Sequence, residues 1–443
     1  MQILKKLKEN HLFTNLNYLL ISYAFFIPIS NKASSFILIS VAILLFFSNE
    51  LKSRFLIIIQ DKVVQAFLLF YMLHFLWMIG SEHLDAAIFK AYHYKSIFAI
   101  IIIAMTIQKE FIMKILSSFA AGMLMSEVFS YTMALNIKIP FVHLKEGMGN
   151  VPFMQSYTQY ATVLSITLGL ILYNLITDKN TTIYKKMFMA IFFTSASLNI
   201  FIVASRIGYI LYTLSIFSVL LFVYKKEVKK IIVPSILLMT LGYTLAYNFS
   251  DVFRSRTSAL YHDLITIPDG DFSTSNGTRA GYYFYGIDII KNNFIFGVGA
   301  GDHIAEIKKI IISEEHDQAN KNNLLVNIWN YNCASLHSEY LDNTLQFGII
   351  GLIVFLNIFY QLLFYNQVDN NRRVIQIILI VSMLFVSIGS IIFLAEGIVR
   401  VFVFLSAVSL YTYDERKQME SSSNQFTFNR LKHLRDFFHT KTL

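Results

Sequence analysis

Residues 187–224 read MFMAIFFTSASLNIFIVASRIGYILYTLSIFSVLLFVY, with Lys185-Lys186 immediately before and Lys225-Lys226 immediately after. Two uncharged apolar runs, 187–204 and 207–224, meet at Ser205-Arg206-Ile207-Gly208. A helix rising 1.5 Å per residue needs roughly 20 residues to cross a hydrocarbon core about 30 Å thick. The stretch therefore reads as two membrane-spanning helices that turn at Arg206. Lysine at both outer ends marks the cytoplasmic side, which places Arg206 at the opposite boundary.

The same pattern continues in both directions. Of 443 residues, 55% are hydrophobic and only 15% charged, where a soluble domain carries about a quarter. Further apolar runs predict spans near 16–30, 34–48, 63–80, 93–107, 111–135, 159–177, 231–249, 344–365, 374–393 and 397–413, about twelve in all. Alternate connections test that count. With the N-terminus inside, the cytoplasmic segments hold Lys5/Lys6/Lys8, Lys52/Arg54/Lys62, Lys109/Lys114, Lys179/Lys185/Lys186, Lys225/Lys226/Lys229/Lys230, Arg372/Arg373 and Arg416/Lys417, and the other connections hold fewer. The net charge of +9 is explained by this asymmetry, so nucleic acid is not expected as a partner. One cysteine, Cys333, excludes an internal disulfide framework and a Cys-rich metal site. The opening MQILKKLKEN lacks a following cleavage site and reads as the lead-in to a retained first span.

The expected fold class is an all-α integral membrane protein with about twelve transmembrane helices and one large external loop containing short helices. The expected organisation is an N-terminal bundle of about nine spans over 1–249, the loop over 250–343, C-terminal spans over 344–413 and a basic amphipathic tail over 414–443. In the tail Phe428, Leu431, Leu434 and Phe438 recur among Arg430, Lys432 and Arg435, and Leu4 and Leu7 sit among lysines at the start. Both segments suit the anionic cytoplasmic leaflet. A smaller external loop is expected over 136–158. A twelve-span transporter or flippase would place charged and helix-breaking residues at mid-membrane. His74 and Glu127 are the clearest candidates, and the chain has only five prolines.

Reactive residues collect at the external face. Arg206 at a membrane boundary needs a partner or an aqueous cavity; it suits either bidentate phosphate binding or a snorkel to lipid headgroups. Asn276-Gly277-Thr278-Arg279 precedes GYYFYGIDIIKNNFIFGVGAGDH, predicting a helix from about 279 to 292 with Arg279 in its first turn. Gly297, Gly299 and Gly301 then make a turn, which reads as a plain loop more readily than as a nucleotide site. Leu336-His337-Ser338-Glu339 ends the loop, where a neutral His337 can accept a proton from a hydroxyl. Glu339 is close enough in sequence to tune it, although residues two apart on a helix do not face each other. His303, Glu314, Glu315, His316, Asp317, His337 and Glu339 share the loop without metal-ligand spacing, so no metal is expected.

Three of these elements, in order, resemble the O-antigen ligase and polymerase superfamily of bacterial inner-membrane glycan transferases. They are Ser205-Arg206-x-Gly208 between paired spans; Arg279 followed by a helix and Phe296-Gly297-Val298-Gly299; and His337-Ser338, nine residues, then Gly348-Ile349-Ile350-Gly351. The match covers roughly 190–360, with Ser338 standing where asparagine is commonest. The resemblance implies an undecaprenyl-diphosphate-linked glycan donor at the periplasmic face of the bacterial inner membrane. The acceptor is the lipid A-core in a ligase, the first expectation, or a second lipid-linked repeat unit in a polymerase. It further implies that Arg206 and Arg279 bind the diphosphate and that His337 is the catalytic base. Ser338, Glu339, Gly348 and Gly351 support them, and neither metal nor cofactor is needed.

Overall fold

A computed structural model describes residues 2–135, 137, 156–313, 324–325, 335–366 and 369–419. The described residues form helices and no strand. In chain order the helices are α1 (Gln2–Phe26), α2 (Asn31–Phe46), α3 (Leu51–Ile58), α4 (Lys62–Leu76), α5 (Leu84–Tyr94), α6 (Ala99–Thr106), α7 (Ile112–Ala134), α8 (Tyr157–Thr177), α9 (Ile183–Ile202), α10 (Arg206–Val223), α11 (Val228–Phe249), α12 (Asp251–Thr266), α13 (Ser275–Asn292), α14 (His303–Ser313), α15 (Glu339–Leu363), α16 (Asn370–Gly389) and α17 (Glu396–Ser409).

Each predicted span falls on a helix, but the described residues contain nine helices long and apolar enough to cross a membrane. Counting α2 and α3, which meet at 117°, as one broken span makes ten. The run expected at 93–107 starts earlier: α5 and α6 join through a 3₁₀ turn into one helix, Leu84–Thr106. The expected loop 136–158 falls almost wholly outside the described residues, as do the amphipathic tail beyond Met419 and Cys333.

α17 sits at the centre. Every residue from Gly397 to Ser409 except Arg400 is buried, the mark of a helix apolar on all sides. Phe393 and Phe402 at its start pack with Phe67, Phe70 and Tyr94. By contrast Ala246 alone is buried on α11, whose Leu237, Leu238 and Leu241 are left open to lipid.

The two ends of the bundle differ in charge. At one end Arg372 grips Glu415 with two bonds of 2.7 and 2.9 Å, Lys109 reaches the same carboxylate at 3.1 Å, Arg416 meets Asp61, and Arg54 lies between the rings of Phe13 and Tyr413. These are cations that the sequence assigns to one face. α16 starts in that cluster and ends at Gly389, beside Arg279, about 30 Å away for 20 residues.

Within 250–343, α12, α13 and α14 are the expected short helices. Phe272, Tyr282, Tyr285, Ile289, Ile304, Ile307 and Ile311 form a second core with Leu336, Leu341 and Leu345. Thr274 caps α13 by accepting the Gly277 N–H at 3.0 Å, so this helix begins at Ser275 rather than near 279. Arg279 therefore lies in the second turn, a correction that follows from an unnoticed capping residue.

Candidate functional site

Ser205 leaves the extended link after α9 and caps α10, its hydroxyl accepting the Gly208 N–H at 3.1 Å. Arg206 is thereby the first helical residue. Gly208 has a packing reason: a Cβ there would stand 2.4 Å from that of Ala161, so only glycine lets α10 press onto α8. The Arg206 guanidinium pairs with the buried carboxylate of Asp263 on α12, which also accepts the Asn276 amide at 2.9 Å.

Arg279 reaches the same place from α13. Its Nε donates to the Gly389 carbonyl at 3.1 Å, and its Nη1 donates to the Ser275 hydroxyl and carbonyl at 2.8 Å. Burial lowers its pKa, and the nearby charge of Arg206 acts in the same direction. Arg206 and Arg279 line one cavity of about 250 Å³, together with Arg256, Tyr157, Asn276 and Tyr283. It lies where α10 begins and α16 ends.

Tyr283 connects the cavity to the end of the loop, because its hydroxyl bonds that of Ser338. Ser338 caps α15, accepting the Leu341 N–H at 3.3 Å and donating to the Ser387 carbonyl at 3.2 Å. Serine and asparagine cap helices almost equally well, which accounts for Ser338 at a position where asparagine is commonest.

His337 has φ +57°, the one non-glycine residue with positive φ among the described residues. Such a backbone costs free energy unless its surroundings hold it. Burial, and then the Arg279 charge, push the His337 imidazole down to about 4, against the opposing pull of Asp342. His337 is therefore neutral at pH 7 and feels the charge of a residue in the cavity wall.

Behind His337 lies a buried ionic cluster that the sequence did not reveal. Lys90 from α5 pairs with Asp342 and comes within 3.0 Å of His303 Nε2, which stands 3.2 Å from Asp342. Gln346 donates to the same carboxylate at 2.9 Å. Asp342 also accepts the backbone N–H of Leu336 at 3.3 Å, one residue before His337. Glu339 does not join His337: it is turned into the bundle, where Asn343, Tyr94 and the Phe393 N–H contact its carboxylate. As the capped first residue of α15 it faces away from the residue two before it.

The glycine turn binds backbone instead of ligand. Gly348 breaks α15 at φ +65°, and the segment 294–299 lies in the break, with Val298 and Gly299 donating to the Leu345 and Gln346 carbonyls at 2.9 and 3.1 Å and Ile349 donating to Phe294 at 2.8 Å. A Cβ on Gly348 would stand 2.2 Å from the Ile295 carbonyl, and one on Gly297 2.4 Å from the Gln346 backbone. The F-G-x-G and G-x-x-G elements are thus two halves of one backbone contact. Gly351 is also crowded, 2.3 Å from the Phe347 Cβ if a Cβ were added.

No group of three metal-ligating side chains forms among the described residues. Glu314, Glu315, His316 and Asp317 lie outside them.

Residues 189–356 match the O-antigen ligase family model. Over that segment the chain is similar to the O-antigen ligase family, which supports the O-antigen ligase and polymerase superfamily. The matched segment runs from α9 into α15 and contains Arg206, Arg256, Arg279 and His337. That match and the nine long apolar helices among the described residues support a multi-pass membrane protein, and the O-antigen ligase family implies lipid-linked glycan substrates. No curated protein matches the chain.

Proposed function

We propose that the chain is an O-antigen ligase. It transfers an undecaprenyl-diphosphate-linked O-polysaccharide to the lipid A-core at the periplasmic face of the inner membrane, as a metal-independent glycosyltransferase. The observation that carries this reading is the shared cavity: Arg206 and Arg279 line it, and Tyr283 in its wall bonds the serine next to His337.

In this reading Arg206 and Arg279 bind the donor diphosphate. An acceptor hydroxyl attacks the anomeric carbon, a new glycosidic C–O bond forms, and the bond from that carbon to the phosphate oxygen breaks. The electron pair leaves with the diphosphate, where guanidiniums stabilise the charge. The hydroxyl proton passes to His337 and then to solvent. Donor binding also prepares the base. A diphosphate beside Arg279 offsets the positive charge that depresses His337, so the imidazole becomes a stronger base when the donor is in place.

The test replaces His337 and Arg206 with alanine and follows lipopolysaccharide on a gel. A ligase loses all O-chains while lipid-linked polymer accumulates, with the variants still in the membrane. A core bearing a single repeat unit would indicate the polymerase. Normal banding in both variants would overturn the site.

A further inference from the structure

Three guanidiniums line the cavity. Arg206 is paired with Asp263, so one of the three charges is offset. Arg279 is held by neutral partners, Ser275 and the Gly389 carbonyl, and keeps its charge. Arg256 meets no carboxylate among the described residues; its guanidinium stands 5.7 Å from the centre of the Tyr157 ring. It belongs to the same face of α12 as Asp263, seven residues on, and lines the cavity with Arg206.

Among the described residues, three arginines and one aspartate leave this wall with a net charge of +2. A polyprenyl diphosphate joined to a sugar carries one ionised oxygen on each phosphate, a charge of about −2 at neutral pH. A monophosphate-linked sugar carries half of that. With the Arg206 charge offset by Asp263, the remaining charge of Arg279 would match only the monophosphate.

We propose that Arg256 is a third diphosphate-binding residue, and that its charge makes the cavity select a polyprenyl diphosphate over a polyprenyl monophosphate. This rests on the donor class assigned under the proposed function. A guanidinium over an aromatic ring is well placed for the task, since the ring orients it without neutralising it.

The full chain in lipid nanodiscs is titrated with a sugar-linked undecaprenyl diphosphate and, separately, with the same sugar linked to undecaprenyl monophosphate. Wild type binds the diphosphate more tightly. Arg256→Gln weakens diphosphate binding by about tenfold or more, the scale of one lost charged hydrogen bond, and leaves monophosphate binding unchanged. Arg256→Lys, which keeps the charge but not the fork, falls between the two. Thermal melting of both variants matches wild type, because the side chain is only half-buried. If Arg256→Gln retains wild-type preference while Arg279→Gln loses it, the role of Arg256 is refuted and the donor assignment stands. If wild type shows no preference for the diphosphate, both fall.

Discussion

Asp342 accepts the backbone N–H of Leu336 at 3.3 Å with the same carboxylate that pairs with Lys90. One buried ion pair thus holds the residue preceding His337 and, through it, the left-handed backbone of His337 itself.

Removing half of that pair leaves a buried charge without compensation. Lys90 and Asp342 are each 1% exposed, and Lys90→Met is expected to cost about 3–5 kcal/mol, the range for breaking a buried pair. Lys90→Met combined with Asp342→Leu removes both charges and should recover much of the loss. Melting midpoints of the detergent-solubilised variants give the comparison; a Lys90→Met protein as stable as wild type would contradict the coupling.

The glycine contact separates two kinds of glycine. Gly348→Ala imposes a Cβ 2.2 Å from a carbonyl at φ +65°, and the backbone strain alone is worth about 1–3 kcal/mol. Gly242, within α11, has open space around it, so Gly242→Ala should raise stability by about 0.5–1 kcal/mol. Equal effects of the two substitutions in a thermal unfolding assay would rule out the backbone contact.

How far the sequence discloses this molecule follows from the range of each signal. Spans are local: a run such as 207–224 between Arg206 and Lys225 carries its own evidence. The cap at Ser205 and the cap at Ser338 are also local, since each satisfies an N–H three residues on. Lys90 and Asp342, by contrast, lie 252 positions apart, and neither has a distinctive neighbourhood. Arg256 sits two residues from Arg254 in a polar stretch, and only the turn of α12 toward Arg206 distinguishes it. Glu339 turns into the bundle although it is two residues from His337, because proximity in sequence is not proximity of side chains at the start of a helix. The two glycine elements were both visible, but their pairing depends on a break in α15 that no hydropathy pattern encodes.

Charge coupling between Arg279 and His337 predicts a pH effect of definite sign. The guanidinium disfavours the imidazolium, so Arg279→Gln should raise the His337 pKa from about 4 toward its ordinary value. Diethylpyrocarbonate attacks the neutral ring only. Site-resolved mass spectrometry should show His337 modified in wild type down to lower pH than in Arg279→Gln, and superimposed profiles would exclude the coupling.

Stability should depend on pH through His337 and His303. His337 and His303 are both depressed in the folded chain, chiefly by burial. Between the unfolded value of about 6.5 and the lower folded values, the unfolded state binds more protons. The contribution is complete above about pH 6.5 and is lost as pH falls toward 4. His337→Ala should flatten the melting profile between pH 7 and pH 5; an unchanged slope would mean that His337 is not buried as a neutral ring.

The most direct measurement is single-turnover transfer by purified protein in nanodiscs, supplied with an undecaprenyl-diphosphate-linked glycan and a lipid A-core acceptor. Wild type should release undecaprenyl diphosphate with one glycan joined per donor consumed, Arg206→Ala and Arg279→Ala should bind donor poorly, and His337→Ala should bind donor normally yet transfer nothing. Transfer at the wild-type rate by His337→Ala would contradict the account.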